Sequence, residues 1–334
     1  MASFEEAGPS TPINRPTRVD LVHPRARLFG AVRALAVLVL ALILLIPVLV
    51  MAVTAFKTRT DILASPPKTI FQPTLEGFVF LLTDRAVMTG SRFEEMKQRA
   101  DAGQLSLFER IAFDSGQEIT GVSPYVERLK NSLIIAGLST VLSVVLGVFA
   151  AYAFSRFKVP GKDDLLFFIL STRMLPAVVV TIPIFLMYRQ IGLFDTHIGM
   201  ILLYTAFNLS FSVWLLKGFI DEIPKEYEEA ALVDGYTRWQ AFYKIVLPQA
   251  VTGIAATAVF CLIFAWNEYA FSLMLTSDKA RTAPPSIATM LGRGGIEWSA
   301  IAAGSLGFLI PVVIITFALR KYLLRGITFG AIRQ

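Results

Sequence analysis

Six long apolar runs divide the chain. The first, Ala34–Phe56, holds 23 residues without a charge, and further runs follow at Asn131–Phe154, Leu165–Met187, Ile198–Leu216, Ala250–Leu275 and Ile301–Leu319. A helix needs about 20 apolar residues to cross the hydrocarbon layer. Lipid offers no partner for backbone N–H and C=O groups, so the spanning form must satisfy them internally. The pattern therefore predicts an all-α polytopic membrane helix bundle with six transmembrane helices. Residues 1–28 carry Pro9, Pro12, Pro16 and Pro24 among polar residues and read as a disordered tail. Residues 29–56 hold the first span, which is too long and too far from the N-terminus for a signal peptide. A long loop covers 57–125, and within it Ser91–Gly103 reads as a solvated helix. The core membrane domain is expected over 126–325, followed by a short tail, 326–334.

Composition agrees with membrane. Of 334 residues, 55% are hydrophobic and 17% charged, where soluble domains hold about 25% charged. The net charge of +6 would suggest nucleic acid in a soluble protein. Here its distribution fixes orientation instead. With the N-terminus inside, sixteen lysines and arginines fall on inner segments, among them Arg25, Arg27, Arg33, Arg156, Lys158, Lys217, Lys244, Arg320 and Lys321. The short outer loops hold four: Arg189, Lys279, Arg281 and Arg293. Positive charge stays inside, so both termini read as cytoplasmic and the 57–125 loop as periplasmic. The single cysteine, Cys261, excludes an internal disulfide, and the two histidines, His23 and His197, are too few for a histidine metal cluster.

The inner segment 217–249 carries the most specific pattern. Pro224 can open a helix, because its missing N–H would be unpaired there. Glu226, Glu228 and Glu229 favour the first turns of that helix electrostatically. Gly235 suits the left-handed residue that ends it. Thr237 and Gln240 have capping-box spacing for a second helix, and Pro248 closes the segment. Ala230 and Ala231 are placed on the face of Tyr227, where small side chains allow another backbone to approach. Trp239, Phe242 and Val246 form a stripe on the second helix. Taken by itself, this could be an amphipathic connector between spans.

The residues Glu229-Ala230-Ala231, Gly235, Ile245 and Leu247-Pro248, at their spacing, resemble the EAA loop of binding-protein-dependent ABC importers. Ser171-Thr172-Arg173-Met174-Leu175-Pro176, Tyr204–Asn208, Trp266-Asn267-Glu268-Tyr269 and Arg325–Ala331 look like the maltose-type carbohydrate branch of that family. The resemblance runs through most of the chain from Ala34, with residues 85–120 the weakest part. It implies the type I permease fold and a subunit that binds no cofactor itself. It also implies a second permease subunit, two ATPase subunits that use ATP-Mg, a periplasmic solute-binding protein and surrounding inner-membrane lipid, with no nucleic acid. In that family the EAA loop docks on the ATPase. Carried over, Glu229, Ala230, Ala231, Gly235, Ile245, Leu247 and Pro248 form the coupling site. For Glu229, two roles stand: a pair with a basic group of the ATPase, or a helix-start carboxylate.

Four polar residues within the runs are candidate pathway residues. Arg173 lies about 12 Å into its span and either faces a cavity or snorkels to the interface. Asn267 and Glu268, flanked by Trp266 and Tyr269, either meet sugar hydroxyls or sit at the outer headgroups. Asn208 is the fourth. Gly137, Gly147, Gly304 and Gly307 read as helix-packing positions. No GxxxxGK[ST], HExxH or GxSxG motif occurs, so a membrane enzyme is disfavoured and ATP hydrolysis is left to a partner. Arg173 and the 267–268 pair have no mates in the other half, which weakens an inverted-repeat secondary transporter. The expected solute is a sugar or polyol; a non-carbohydrate solute such as a glycerophosphodiester stands as the alternative.

Overall fold

The structure, a computed structural model, describes residues 24–292 and 295–329. Most of the expected N-terminal tail, with His23, lies outside the described residues, as do Arg293 and residues 330–334. The chain forms two units that divide between Val50 and Met51. The first is most of α1 (Pro24–Thr54), uncharged from Ala34 onward, with Pro47 inside it. A proline in a spanning helix frees one carbonyl and is tolerated there.

The second unit opens with residues 57–124, expected as a loop but folded as a small insert. It contains α2 (Arg59–Leu63), α3 (Glu76–Leu82), β1 (Thr83–Val87), α4 (Gly90–Asp101), α5 (Leu107–Asp114) and β2 (Gln117–Val122). The strands pair antiparallel, Thr83 with Val122 through Val87 with Gln117, and a bulge falls between Asp84 and Arg85. Val79 and Phe80 of α3 bury against Ala300, with Ile111 and Met290 packed around them. α5 starts with a full capping box, Ser106 and Glu109 exchanging side-chain and backbone bonds.

The spans follow: α6 (Tyr125–Arg156), α7 (Lys162–Ser171), α8 (Ala177–Gln190), α9 (His197–Asp221), and, after the segment described below, α12 (Leu247–Trp266) and α15 (Trp298–Phe329). Five described helices are long and apolar enough to cross a membrane, and the count reaches six where the bent pair α7–α8 is taken as one span. α6 and α9 run in the same direction. At one end His197 Nε2 meets Asn131 Oδ1 at 2.8 Å; at the other Ser155 Oγ donates to Asp221. Between these ends Ser139, Ser143, Gly147 and Ala151, one turn apart, bury against α9. Ser143 Oγ donates to Thr205 O across the seam. A Cβ on Gly147 would collide with Ser212 Oγ and Cβ. Small residues here let two backbones approach, which is how helices associate in lipid. Gly304 and Gly307 likewise pack against Leu81 and Tyr125, whereas Gly137 has nothing in its path within the chain.

Two apolar runs are broken. The Leu165–Met187 run turns by 92° between Met174 and Ala177. Pro176 forces Leu175 into extended backbone, φ −67° and ψ 128°. The Ala250–Leu275 run stops at Trp266, and a separate α13 (Ala270–Leu275) follows. Beyond it, α14 (Ala283–Ala288) leads to α15. The connection between α8 and α9 holds this region in place. Asp195, at φ +54°, accepts N–H bonds from Ser277, Asp278, Lys279 and Ala280, and the Ser277 hydroxyl at 2.8 Å. Burial pushes its carboxyl up, but these donors more than offset it, so the net direction is down.

Candidate functional site

The segment between α9 and α12 forms a helix–turn–helix. α10 (Lys225–Val233) begins after Pro224, and Gly235 turns the chain at φ +87°. α11 (Arg238–Ala241) starts with the capping box of Thr237 and Gln240, both bonds present. A π-helical turn, Phe242–Val246, then joins α11 to α12. Its position has a cause. Pro248 has no N–H to give Lys244, and its ring would press on that carbonyl in a regular helix; a wider turn relieves the clash.

α10 presents two faces. Tyr227 and Ala230 point outward; Glu228 and Ala231 point into the chain, 6% and 5% exposed. The expectation that Ala230 and Ala231 share an outer face is thereby corrected. Ala231 lets α10 lie close to its own chain and is not offered to a partner. Glu229, Ala230 and Gly235 are exposed, Ile245 and Leu247 half-buried, and Pro248 exposed. Val233 ends α10 at 88% exposure, next to Tyr236 at 39%. Trp239 stacks on Phe149 of α6, while Phe242 and Val246 are buried.

Glu228 anchors this segment. Its carboxylate accepts from the Tyr152 hydroxyl at 2.9 Å and pairs with Arg156, whose side chain is 5% exposed. Arg156 also donates to Ile223 O at 2.8 Å and to Ser155 Oγ at 2.8 Å. Ser155 in turn holds Asp221, so α6, α9 and α10 meet in one polar knot. Sequence reasoning assigned Glu228 only to the helix dipole. The three-residue spacing to Ala231 was the available signal, since it puts both on one helical face.

Toward the opposite end, Arg173, Asn208 and Glu268 line one cavity of about 340 Å³, together with Tyr204, Phe207 and Phe264. Arg173 lies at the break of the third span. Its guanidinium donates to Phe207 O at 3.1 Å and covers the rings of Phe264 and Phe211 at 4.2 and 5.3 Å. No described carboxylate pairs with it within 4.0 Å. Asn208 is 3% exposed and gives its amide to Cys261 O at 3.1 Å, tying α9 to α12.

Glu268 is not within a continuous span. It follows the end of α12, accepts N–H bonds from Phe271 and Ser272 at 2.8 and 3.1 Å, and takes the Tyr204 hydroxyl at 2.7 Å. It therefore caps α13 from the cavity wall. Asn267 is not in that wall; it is exposed and bonds Ile263 O of its own helix. Trp266 is 2% exposed and stacks on Phe308, so it is a core residue and not a headgroup anchor. Tyr204 opens the family-like stretch Tyr204–Asn208, but it carries no charge that would single it out as a cavity residue. Among the described residues no metal-binding cluster occurs.

A bundle of broken spans around a polar cavity, with a capped helix–turn–helix at the far end, defines a membrane permease. The family of binding-protein-dependent transport system inner membrane components matches residues 143–329, and the chain belongs to it. It is 31% identical over 295 residues to the probable ABC transporter permease protein y4oR of Sinorhizobium fredii, covering 88% of this chain and 92% of that one. A match so long includes part of the insert. The trehalose transport system permease protein SugB of Mycobacterium tuberculosis is 38% identical over 226 residues, 67% of this chain and 82% of its own. In fold, the chain is similar to a bacterial ABC transporter involved in the import of the acidic polysaccharide alginate, with a TM-score of 0.62 at 19% identity, covering 90% of this chain and 98% of that one.

Proposed function

We propose that this chain forms half of the pathway of an ATP-driven importer in the bacterial inner membrane. A related permease subunit forms the other half. Both termini face the cytoplasm and the insert faces the periplasm. A sugar or polyol is delivered by a periplasmic binding protein, and energy comes from two separate ATPase subunits using ATP-Mg. The observation that carries this reading is the exposed surface of α10 around Glu229, Ala230, Val233 and Gly235, set on the knot of Glu228 and Arg156. An apolar residue at 88% exposure on a rigid support suits a cleft on a partner. The solute class is supported by the name of the trehalose permease relative and by a cavity that offers hydroxyl partners from arginine, tyrosine and carboxylate groups.

Val233→Asp tests the coupling role. Surface substitutions of this kind change stability by about 0.5 kcal/mol or less, so the variant assembles. Binding-protein-stimulated ATPase activity and uptake in proteoliposomes fall together by about tenfold, the effect of about 1.4 kcal/mol of docking energy. Unchanged uptake and ATPase activity would remove the docking assignment. A second reading, an anionic solute such as a glycerophosphodiester, is favoured by Arg173, which faces the cavity without a described carboxylate partner. Glu268 on the same wall opposes it. Competition between labelled trehalose and glycerophosphoglycerol, an anionic phosphodiester, for uptake separates the two solutes.

A further inference from the structure

Where the insert meets the first turn of α15 lies a pair of cavities with no part in the pathway described above. Each has a volume of about 670 Å³, within the ordinary range for small-molecule sites. Phe80, Gln117 and Glu297 belong to the walls of both. The two thus adjoin at one carboxylate. Glu297 is 1% exposed, yet neither of its oxygens accepts a hydrogen bond from a described residue. Its ion-pair partner, Arg59 Nη1, stands 3.7 Å away, too far for a hydrogen bond.

The first cavity has the converse need. Arg85 buries Nε and Nη1 without an acceptor, and Arg128 buries Nε in the same way. The Arg85 guanidinium lies 3.4 Å over the Phe80 ring. Burial lowers the pKa of Arg85 from the usual arginine value, against the pull of Glu297, Glu76 and Asp84. In the second cavity Thr74 Oγ1 is also buried without a partner. Buried charged groups without hydrogen bonds are rare in folded proteins because desolvation is not repaid. Here they gather on the walls of two adjoining cavities.

The mixture of groups narrows what can fill it. A bare anion near Arg85 and Arg128 also meets Asp84 and Glu297; a bare cation near Glu297 meets two guanidinium groups. A hydroxyl both donates and accepts, so a row of hydroxyls satisfies the arginines and the carboxylate together without adding charge. We propose that this pair of adjoining cavities is a binding site for a neutral polyhydroxyl compound, a sugar or polyol, separate from the cavity at Arg173. The assignment rests on the donors and acceptors of this site and not on which solute the pathway carries.

The test uses the assembled transporter in nanodiscs, without binding protein or nucleotide. Saturation-transfer NMR measures magnetisation passed from protein to trehalose and to sorbitol. At least one of the two receives transfer with the wild type. Glu297→Gln and Arg85→Gln weaken it by at least about fivefold, the size of one lost hydrogen bond, while Arg92→Gln, on the exposed face of α4 outside both cavities, leaves it unchanged. Gln117→Leu keeps every charge and also weakens it, which covers a charge variant that fails to assemble. No transfer to either compound in the wild type overturns the proposal, as does full transfer in all the insert variants that assemble. Loss of transfer in Arg173→Gln alone would place the ligand in the transport cavity, and displacement of trehalose by sulfate would make this an anion site; both overturn it. Uptake assays with the binding protein report on the transport reading independently.

Discussion

Among single residues, Glu228 and Glu229 are neighbours in sequence with opposite environments. Glu228 is buried against Arg156 and Tyr152; Glu229 is exposed. Removing one partner of a buried pair leaves the other charge uncompensated, at a cost of about 3–5 kcal/mol. Glu228→Gln is therefore expected to lower the amount of assembled complex and its unfolding temperature. Glu228→Met with Arg156→Met recovers most of that loss, because both charges are gone. Glu229→Gln leaves assembly intact. Size-exclusion yield and thermal unfolding of the purified complex check all three. Asp195 gives a pH test. Its folded carboxyl lies below the usual aspartate value of 3.8. The stability it contributes is fully present above that value and is lost as pH falls through the folded value. Backbone amides of residues 277–280, referred to the intrinsic exchange rate at each pH, should be well protected at neutral pH and lose protection as pH falls through the folded value. Asp195→Asn, which retains a side chain suited to positive φ, should exchange faster at neutral pH too. Equal exchange in the variant would mean the clamp contributes nothing.

Between helices, the seam of α6 and α9 depends on the absence of a side chain at Gly147. Gly147→Leu inserts volume where Ser212 and Leu216 already stand. Overpacking of this kind costs about 1–3 kcal/mol, so the assembled complex should unfold at lower temperature. Gly137→Leu, with nothing in its path within the chain, should not weaken this seam; equal losses in both variants would show that the seam is not the sensitive contact. The same elements show what sequence could disclose. Long apolar runs announced the spans, and Pro224, Gly235, Thr237 and Gln240 announced the helix–turn–helix, because caps and turns act locally. The break after Trp266 was hidden, since Asn267 and Glu268 interrupt an apolar run without a proline or glycine. The cause is that Glu268 accepts a capping bond from the Phe271 N–H of α13 and another from the Tyr204 hydroxyl of α9, 64 residues away. The insert was hidden for a similar reason. Thr83–Val87 has little strand character by itself, and its pairing with Gln117–Val122 is a contact across α4 and α5. In the cavity, Arg173, Asn208 and Glu268 were visible as polar residues in apolar surroundings, and Asn267 looked the same; only the packing separates them.

For the whole molecule, the proposed orientation puts Ser91 and Thr237 on opposite sides of the membrane. Both are exposed. In a Cys261→Ser background, Ser91→Cys should react with an impermeant maleimide in intact cells, and Thr237→Cys should react only after lysis. Labelling of Thr237→Cys in intact cells would reverse the orientation or change the number of crossings. The polar knot at Arg156 has a consequence of another kind, a mechanical one. It clamps α10 to the ends of two parallel helices that are also tied at their far ends by Asn131 and His197. Such a frame transmits rotation as a lever arm. From Arg156 to Asn131 the helix is about 37 Å long, so a tilt of about 5° imposed at α10 carries the far end through about 3 Å. That displacement equals the length of a hydrogen bond, and it is delivered beside the loop that Asp195 holds.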